Sequence, residues 1–355
     1  MAENYKIAIV GASSLRGKEL NEVLAESPFS SVDFSLMDDD SQLGQLEAVG
    51  DEVTFIQRIE ADSFRNVDFV FFTAAPEVVR KHWKAALKAG ASIVDLSYAL
   101  EGEPGVLVRA PWLRDEIARD ETPSHPVSPS EEPDLSTPGI VPAHPVSLAL
   151  GLILLRMQAL GAVRNASATV LEPASEYGRA AMDELHQQTV GLLSFQTLPK
   201  ETYDTQVAFN VAPVLGESSK VSLTASEARV RRHYEILSGG LLPEVAIQML
   251  HAPVFHGEGI SLFVELDQPV LLEHVEAALG GEHVDVVLGD TDPPTNLSSA
   301  GQGDVLVRVR TQDGTETQTN RFWIWASLDN LKFAALNALA CAVELRKLRP
   351  QGKVQ

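Results

Sequence analysis

Several things are scarce in this sequence, and each scarcity closes off a class of protein. There is one cysteine, Cys341, in 355 residues, so no disulfide can form within the chain. A protein with so little thiol fits a reducing, cytoplasmic setting. No apolar run approaches the roughly 18 residues that a membrane span needs. The longest, Val146 to Leu155, is short and interrupted by Ser147 and Gly151. Basic residues are few: 28 Lys and Arg stand against 49 Asp and Glu, a formal net charge of −21. That balance speaks against nucleic acid or an anionic membrane as partner, because both recruit clustered cations. The N-terminus has no basic stretch leading into a long apolar one, so no secretory leader is expected. The Asn-x-Ser triplets at Asn165 and Asn296 then carry no meaning.

What is present is a well-stocked globular chain, 45% hydrophobic, long enough for about two domains. Tyr5 to Val10 predicts a buried strand, and GASSLRG (11–17) follows it into a helical stretch. Val32 to Met37, Val67 to Thr73 and Ser92 to Leu96 predict further strands, with a helix over Glu77 to Ala89. Strands alternating with helices at this pace predict a doubly wound parallel sheet. Proline and acidic residues dominate Glu121 to Pro142, an irregular connection and a candidate domain boundary. A helix-like run over Val146 to Leu160, a strand over Ala166 to Leu171 and a helix over Ala180 to Leu193 come next. Later segments alternate as antiparallel strands: Val221 to Leu223, Val254 with Ile260 to Leu266, Val284 to Leu288, Val305 to Arg310 and Arg321 to Ala326. Leu328 to Leu348 has helical periodicity.

Strand, glycine loop and helix together are the first functional signal. Gly11 and Gly17 occupy positions that permit a tight turn and close helix–strand packing around a pyrophosphate at a helix N-terminus. Ser14 takes the middle position, where its hydroxyl would either bond a phosphate or obstruct it. The loop candidates for cofactor contact are Gly11, Ser13, Ser14, Leu15 and Gly17. Asp38, heading the run Asp38 to Asp40 after the second strand with no Lys or Arg among it, is the candidate for a ribose hydroxyl and favours NAD over NADP. A tight turn that kept its shape without the ligand is the competing reading.

Several segments, in order along nearly the whole chain, resemble those of the aspartate-semialdehyde dehydrogenase family, and more closely its Usg-type proteins. IAIVGASSLRGKEL resembles the family's opening strand and nucleotide loop. IVDLS (93–97), AFNVAP (208–213) and APVFHGEG (252–259) resemble later family segments. SLDNLKFAALNALACAVEL (327–345) is similar to its C-terminal helix. The resemblance implies a Rossmann-like doubly wound parallel sheet over 1–140, joined by a returning helix at 328–348. It also implies a mixed α+β catalytic and dimerisation domain over 141–327, a homodimer, a small-molecule ligand and NAD or NADP. Family enzymes use NADP to interconvert aspartyl phosphate and aspartate semialdehyde through a thioacyl-enzyme.

That reaction needs a thiolate, a base and an arginine for the substrate carboxylate. The segment matching the nucleophile is Pro142-Ala143-His144-Pro145-Val146, so His144 stands in place of the cysteine. Glu172 in LEPASEYG matches a glutamine, His251 the substrate arginine and Glu258 the general-base histidine. The phosphate-binding arginine is replaced too, with Leu100 and Glu101 in its region. His256, two residues before Glu258, would share its face if the segment were a strand. Cys341 reads as an inert core thiol. The resemblance therefore implies a scaffold that has lost the thioacyl chemistry. The competing reading is an active NAD(P)-dependent oxidoreductase using altered groups on an aldehyde or another small substrate. Two His and two Glu converging in the fold could also hold a metal, but no short ligand motif marks one, and no metal is expected.

Overall fold

The structure is a computed structural model that describes residues 5–29, 33–38, 46–49, 52–60, 62–119, 132–314 and 317–348. Asp39, Asp40 and the first half of the proline-rich connection, 121–131, lie outside the described residues. The chain divides into two compact units, Met1–Ala143 with Ala334–Gln355, and His144–Phe333.

The first unit is built on apolar strands that are buried on both faces. Its elements run β1 (Lys6–Val10), α1 (Leu15–Ala25), β2 (Asp33–Asp38), the hairpin β3 (Leu46–Val49) and β4 (Glu52–Phe55), β5 (Gln57–Arg58), β6 (Phe69–Phe72), α2 (Pro76–Lys88), β7 (Ser92–Asp95), β8 (Leu107–Arg109), α3 (Pro111–Arg119) and β9 (Ile140–Pro142). Seven strands form one sheet in the order β5-β2-β1-β6-β7-β9-β8. Each recorded pairing in it is parallel. Successive side chains of a strand point to opposite faces. Ile7, Ile9, Phe69, Phe71 and Val94 accordingly enter one core, with α1 and the C-terminal helix residues Ala335, Ala338, Cys341, Ala342 and Leu345. Ala8, Val10, Val70, Phe72 and Ile93 enter the other, covered by Val79, Trp83 and Ala86 of α2. Two buried faces explain why these strands read as continuous apolar runs.

The second unit contains α4 (Pro145–Gln158), β10 (Val163–Glu172), a 3-10 turn (Ala174–Tyr177), α5 (Arg179–Leu193), α6 (Leu223–Ser238), β11 (Ala246–His251), β12 (Glu258–Val270), α7 (Leu272–Leu279), β13 (Val284–Val286), β14 (Val305–Thr311) and β15 (Thr319–Leu328). The C-terminal helix α8 (Asn330–Leu348) begins in this unit and contributes its residues from Ala334 onward to the first. The sheet order is β11-β10-β12-β15-β14-β13. β10, β12, β15 and β14 pair antiparallel, and the two edge strands pair parallel.

Two expectations from the sequence fail in this unit. Val221 to Leu223 is no strand. Ser222 caps α6 there, its hydroxyl accepting the Ala225 amide at 3.2 Å, and Leu223 belongs to the helix's buried stripe with Val230 and Tyr234. Val254 lies in the turn before β12, where its amide bonds the Ala252 carbonyl at 2.8 Å.

Phe71 is fully buried in the sheet of the first unit. Phe71→Ala is expected to lower unfolding stability by about 3–5 kcal/mol, read from a shifted urea midpoint with unchanged slope.

Candidate functional site

In the first unit, the loop after β1 needs glycine at two points. Gly11 has φ +93°, and a Cβ there would stand 2.3 Å from the Ala74 amide nitrogen. A Cβ on Gly17 would stand 2.3 Å from the Gly11 carbonyl oxygen, so α1 packs against the turn only without one. Ser14 is the N-cap of α1. Its hydroxyl accepts the Gly17 amide at 2.9 Å and donates to the Thr73 carbonyl at 3.1 Å. The Ser14 side chain thus ties the loop to α1 and to the end of β6.

Asp38 is also used locally. Its Oδ2 accepts the Ser13 amide at 2.9 Å and the Ser13 hydroxyl at 2.5 Å, which ties the end of β2 to the loop. Arg58 of β5 pairs in register with Asp38, a basic residue near the end of β2 that lies outside the run Asp38 to Asp40. The sequence reading also missed Arg16, whose guanidinium sits 5.3 Å from the centre of the Tyr98 ring.

The four substituted positions, His144, Glu172, His251 and Glu258, all lie in the second unit and are fully buried. Strand register places three of them. Glu172 of β10 and His251 of β11 are direct partners in parallel pairing. On the other side of β10, Leu171 partners Gly259 antiparallel, so the next positions along are Glu172 and Glu258. His251, Glu172 and Glu258 therefore stand abreast at one end of three adjacent strands, on one face.

His144 arrives from a helix end. Pro145 opens α4, and His144 is its N-cap. Its backbone N–H donates to His233 Nδ1 at 2.9 Å. Its own Nδ1 accepts the Val146 amide at 3.3 Å, while Nε2 lies 3.5 Å from a Glu176 carboxylate oxygen. One ligand atom each of His144, Glu176 and Glu258 falls within 4.8 Å of the others.

Glu176 was not among the sequence candidates. It comes close because the chain leaves β10 in a 3-10 turn, a conformation that LEPASEYG does not advertise. Asn330 organises the same region. Its Oδ1 accepts the Ser175 hydroxyl at 3.0 Å and the Gly257 amide at 3.4 Å, and its Nδ2 donates to Glu176 at 3.3 Å. Tyr203, also missed, packs its ring 4.8 Å from that of His251. His256 drops out, because it lies in the turn before β12 and not on the strand carrying Glu258. Cys341 is a fully buried core residue of the first unit, and burial pushes its thiol far above the usual range.

Burial sets the protonation of the sheet pair. Neither nitrogen of His251 has a hydrogen-bond partner among the described residues, and the oxygens of Glu172 have only the Tyr177 and Ser226 hydroxyls near them. Burial, reinforced by the charge of Glu176, pushes Glu172 up to about 8; nearby Tyr177, Ser226 and Arg229 offset this only in part. Burial lowers His251 to about 4. At neutral pH the pair is a protonated acid beside a neutral imidazole.

Each shift has a sign in stability. A carboxyl raised from 4.5 to about 8 binds a proton in the folded state that the unfolded state has lost. Its stabilisation falls as pH rises through that window. His251 acts oppositely, losing stability as pH falls below 6.5 toward about 4. Between pH 6.5 and 8 only the Glu172 effect operates. Glu172→Gln is expected to flatten the decline in unfolding free energy across that interval, a difference of roughly 1–2 kcal/mol by denaturant titration at several pH values. An unchanged slope would show that Glu172 is ionised throughout.

With this geometry in view, comparison with known proteins is informative. Residues 6–124 match the semialdehyde dehydrogenase NAD binding domain, and residues 155–333 match the semialdehyde dehydrogenase dimerisation domain. A USG-1 protein homolog of Azotobacter vinelandii is 30% identical over 349 residues, covering 98% of this chain and 99% of that protein. A USG-1 protein homolog of Pseudomonas aeruginosa is 29% identical over 342 residues, covering 96% and 97%. A solved structure described as a probable aspartate-semialdehyde dehydrogenase from Pseudomonas aeruginosa superposes with a TM-score of 0.80 at 26% identity, covering 97% of this chain and 99% of that one. The chain belongs to the semialdehyde dehydrogenase family, among its aspartate-semialdehyde dehydrogenase and USG-1 type members.

Proposed function

We propose that this protein is a family member that has given up thioacyl aldehyde chemistry, while keeping the NAD(P)-binding fold of its first unit and homodimerising through its second. The observation that carries this reading is the placement of His144. A thiolate is the group that forms the thioester, and a helix N-terminus is where its pKa is lowered. That position here holds an imidazole whose Nδ1 accepts the Val146 amide. In the neutral ring the proton then sits on Nε2, so no lone pair faces outward for attack. The sole thiol, Cys341, is sealed in the core of the first unit. Homodimer formation is supported by the match to a dimerisation domain and by large apolar side chains exposed in that unit, among them Phe195, Phe209 and Val214. No helix among the described residues is long and apolar enough to cross a membrane.

A second reading, an oxidoreductase with altered acid–base chemistry, is favoured by one observation. A protonated Glu172 beside a neutral His251 is a matched acid and acceptor. The two readings separate in one assay. The purified protein, given aspartate semialdehyde, phosphate and NAD or NADP, is expected to produce no reduced nicotinamide above a protein-free blank. Turnover that disappears in His144→Ala or Glu172→Gln overturns the first reading in favour of the second.

Cofactor binding is tested separately by calorimetry. Arg58 supplies the cation at the end of β2 that a 2′-phosphate needs. Arg58→Glu is expected to weaken NADP binding about tenfold or more and to leave NAD within about twofold, a charge-assisted contact being worth about 1.5–3 kcal/mol. Equal losses for both dinucleotides would place Arg58 away from the 2′ position.

A further inference from the structure

We propose that His144, Glu176 and Glu258 form a binding site for a divalent transition-metal ion inside the second unit. The donor set is one imidazole and two carboxylates, a mixture suited to zinc and its first-row neighbours. The three side chains come from three separate elements: the cap of α4, the 3-10 turn after β10 and the first residue of β12. Their ligand atoms lie within 4.8 Å of one another, and His144 Nε2 is 3.5 Å from Glu176. Ligand atoms on a tetrahedral zinc are about 3.3–3.6 Å apart, from metal–ligand distances of about 2.0–2.2 Å. The His144–Glu176 edge is already at that spacing, and the wider separations close with side-chain movements of about an ångström.

Burial distinguishes this cluster from an ordinary acidic surface patch. Relative exposures are 0%, 8% and 0% for His144, Glu176 and Glu258. A separate observation points the same way. Glu172 follows Leu171, the partner of Gly259, so it stands beside Glu258 at the end of the β10–β12 pairing, and it is 0% exposed. Three acidic side chains are thus sunk into one interior region, one of them the protonated Glu172. A dication balances the Glu176 and Glu258 carboxylates and leaves a fourth position for water. Ligation through Nε2 moves the imidazole proton to Nδ1 and gives up the long 3.3 Å contact from the Val146 amide.

The test needs no dinucleotide, so its outcome is independent of the cofactor reading. The full-length protein is stripped with a chelator, loaded with Zn2+, desalted and counted by elemental mass spectrometry. One Zn2+ per chain is expected, and the thermal midpoint is expected to rise on loading. Glu258→Gln keeps the side chain's shape and removes a ligand charge. It is expected to lower Zn2+ affinity at least tenfold and to abolish the thermal shift, while folding without metal as the parent does. Co2+ in the parent is expected to give visible d–d bands that are missing in Glu258→Gln, a signature that merely structural damage would not mimic. A parent that retains no more Zn2+ than Glu258→Gln, or that shows no thermal shift, overturns the proposal and leaves the cluster as a proton-sharing one.

Discussion

Strand β10 is the line on which the second unit's chemistry is assembled. It pairs in parallel with β11 on one side and antiparallel with β12 on the other. Those two pairings bring the last residue of β10, the last of β11 and the first of β12 to one level. A slip of one residue in either pairing would turn a side chain to the opposite face of the sheet. The convergence of Glu172, His251 and Glu258 is therefore a property of register. The chain's immediate exit from β10 into a 3-10 turn adds Glu176, and the cap of α4 adds His144.

Burial then decides what these groups are. Exposed, two glutamates and two histidines at neutral pH would carry charges that mean little. Sealed from water, Glu172 holds its proton near neutrality and His251 releases its own. Asn330 fixes this arrangement by bonding Ser175, Gly257 and Glu176 at once, so one side chain at the start of α8 links the turn after β10 to the turn before β12. No thiol stands at the N-terminal end of α4; the His144 imidazole stands there and accepts the Val146 amide.

The nucleotide loop of the first unit shows a different economy. Its two glycines are demanded by backbone contacts of 2.3 Å that no side chain could share. Its serines and Asp38 bond to each other and to the neighbouring strands, so the loop's shape is self-supporting. Strand pairing sets Arg58 in register with Asp38 at the end of β2.

Much of the fold was legible in the amino-acid order because the signals are local. Apolar runs such as VDFVFFT mark strands buried on both faces, and the pairing of strand, glycine turn and helix marks the nucleotide fold. Family resemblance likewise located His144, Glu172, His251 and Glu258, since matching segments can be aligned without coordinates. The helix at Leu223–Ser238 was missed because its first residues read as a short apolar run, and only its cap and tertiary burial identify it. Glu176, Tyr203, Asn330 and Arg58 were invisible for a common reason. Each acquires its role from a neighbour in space, through a turn or a strand register, and each looks ordinary in the sequence. The sequence by itself determined the family and that no cysteine stands near His144, because segment order and residue identity are written in the chain. Only the tertiary structure decided which polar groups share a buried interior and what charge they hold there, because proximity and desolvation are properties of the packed chain.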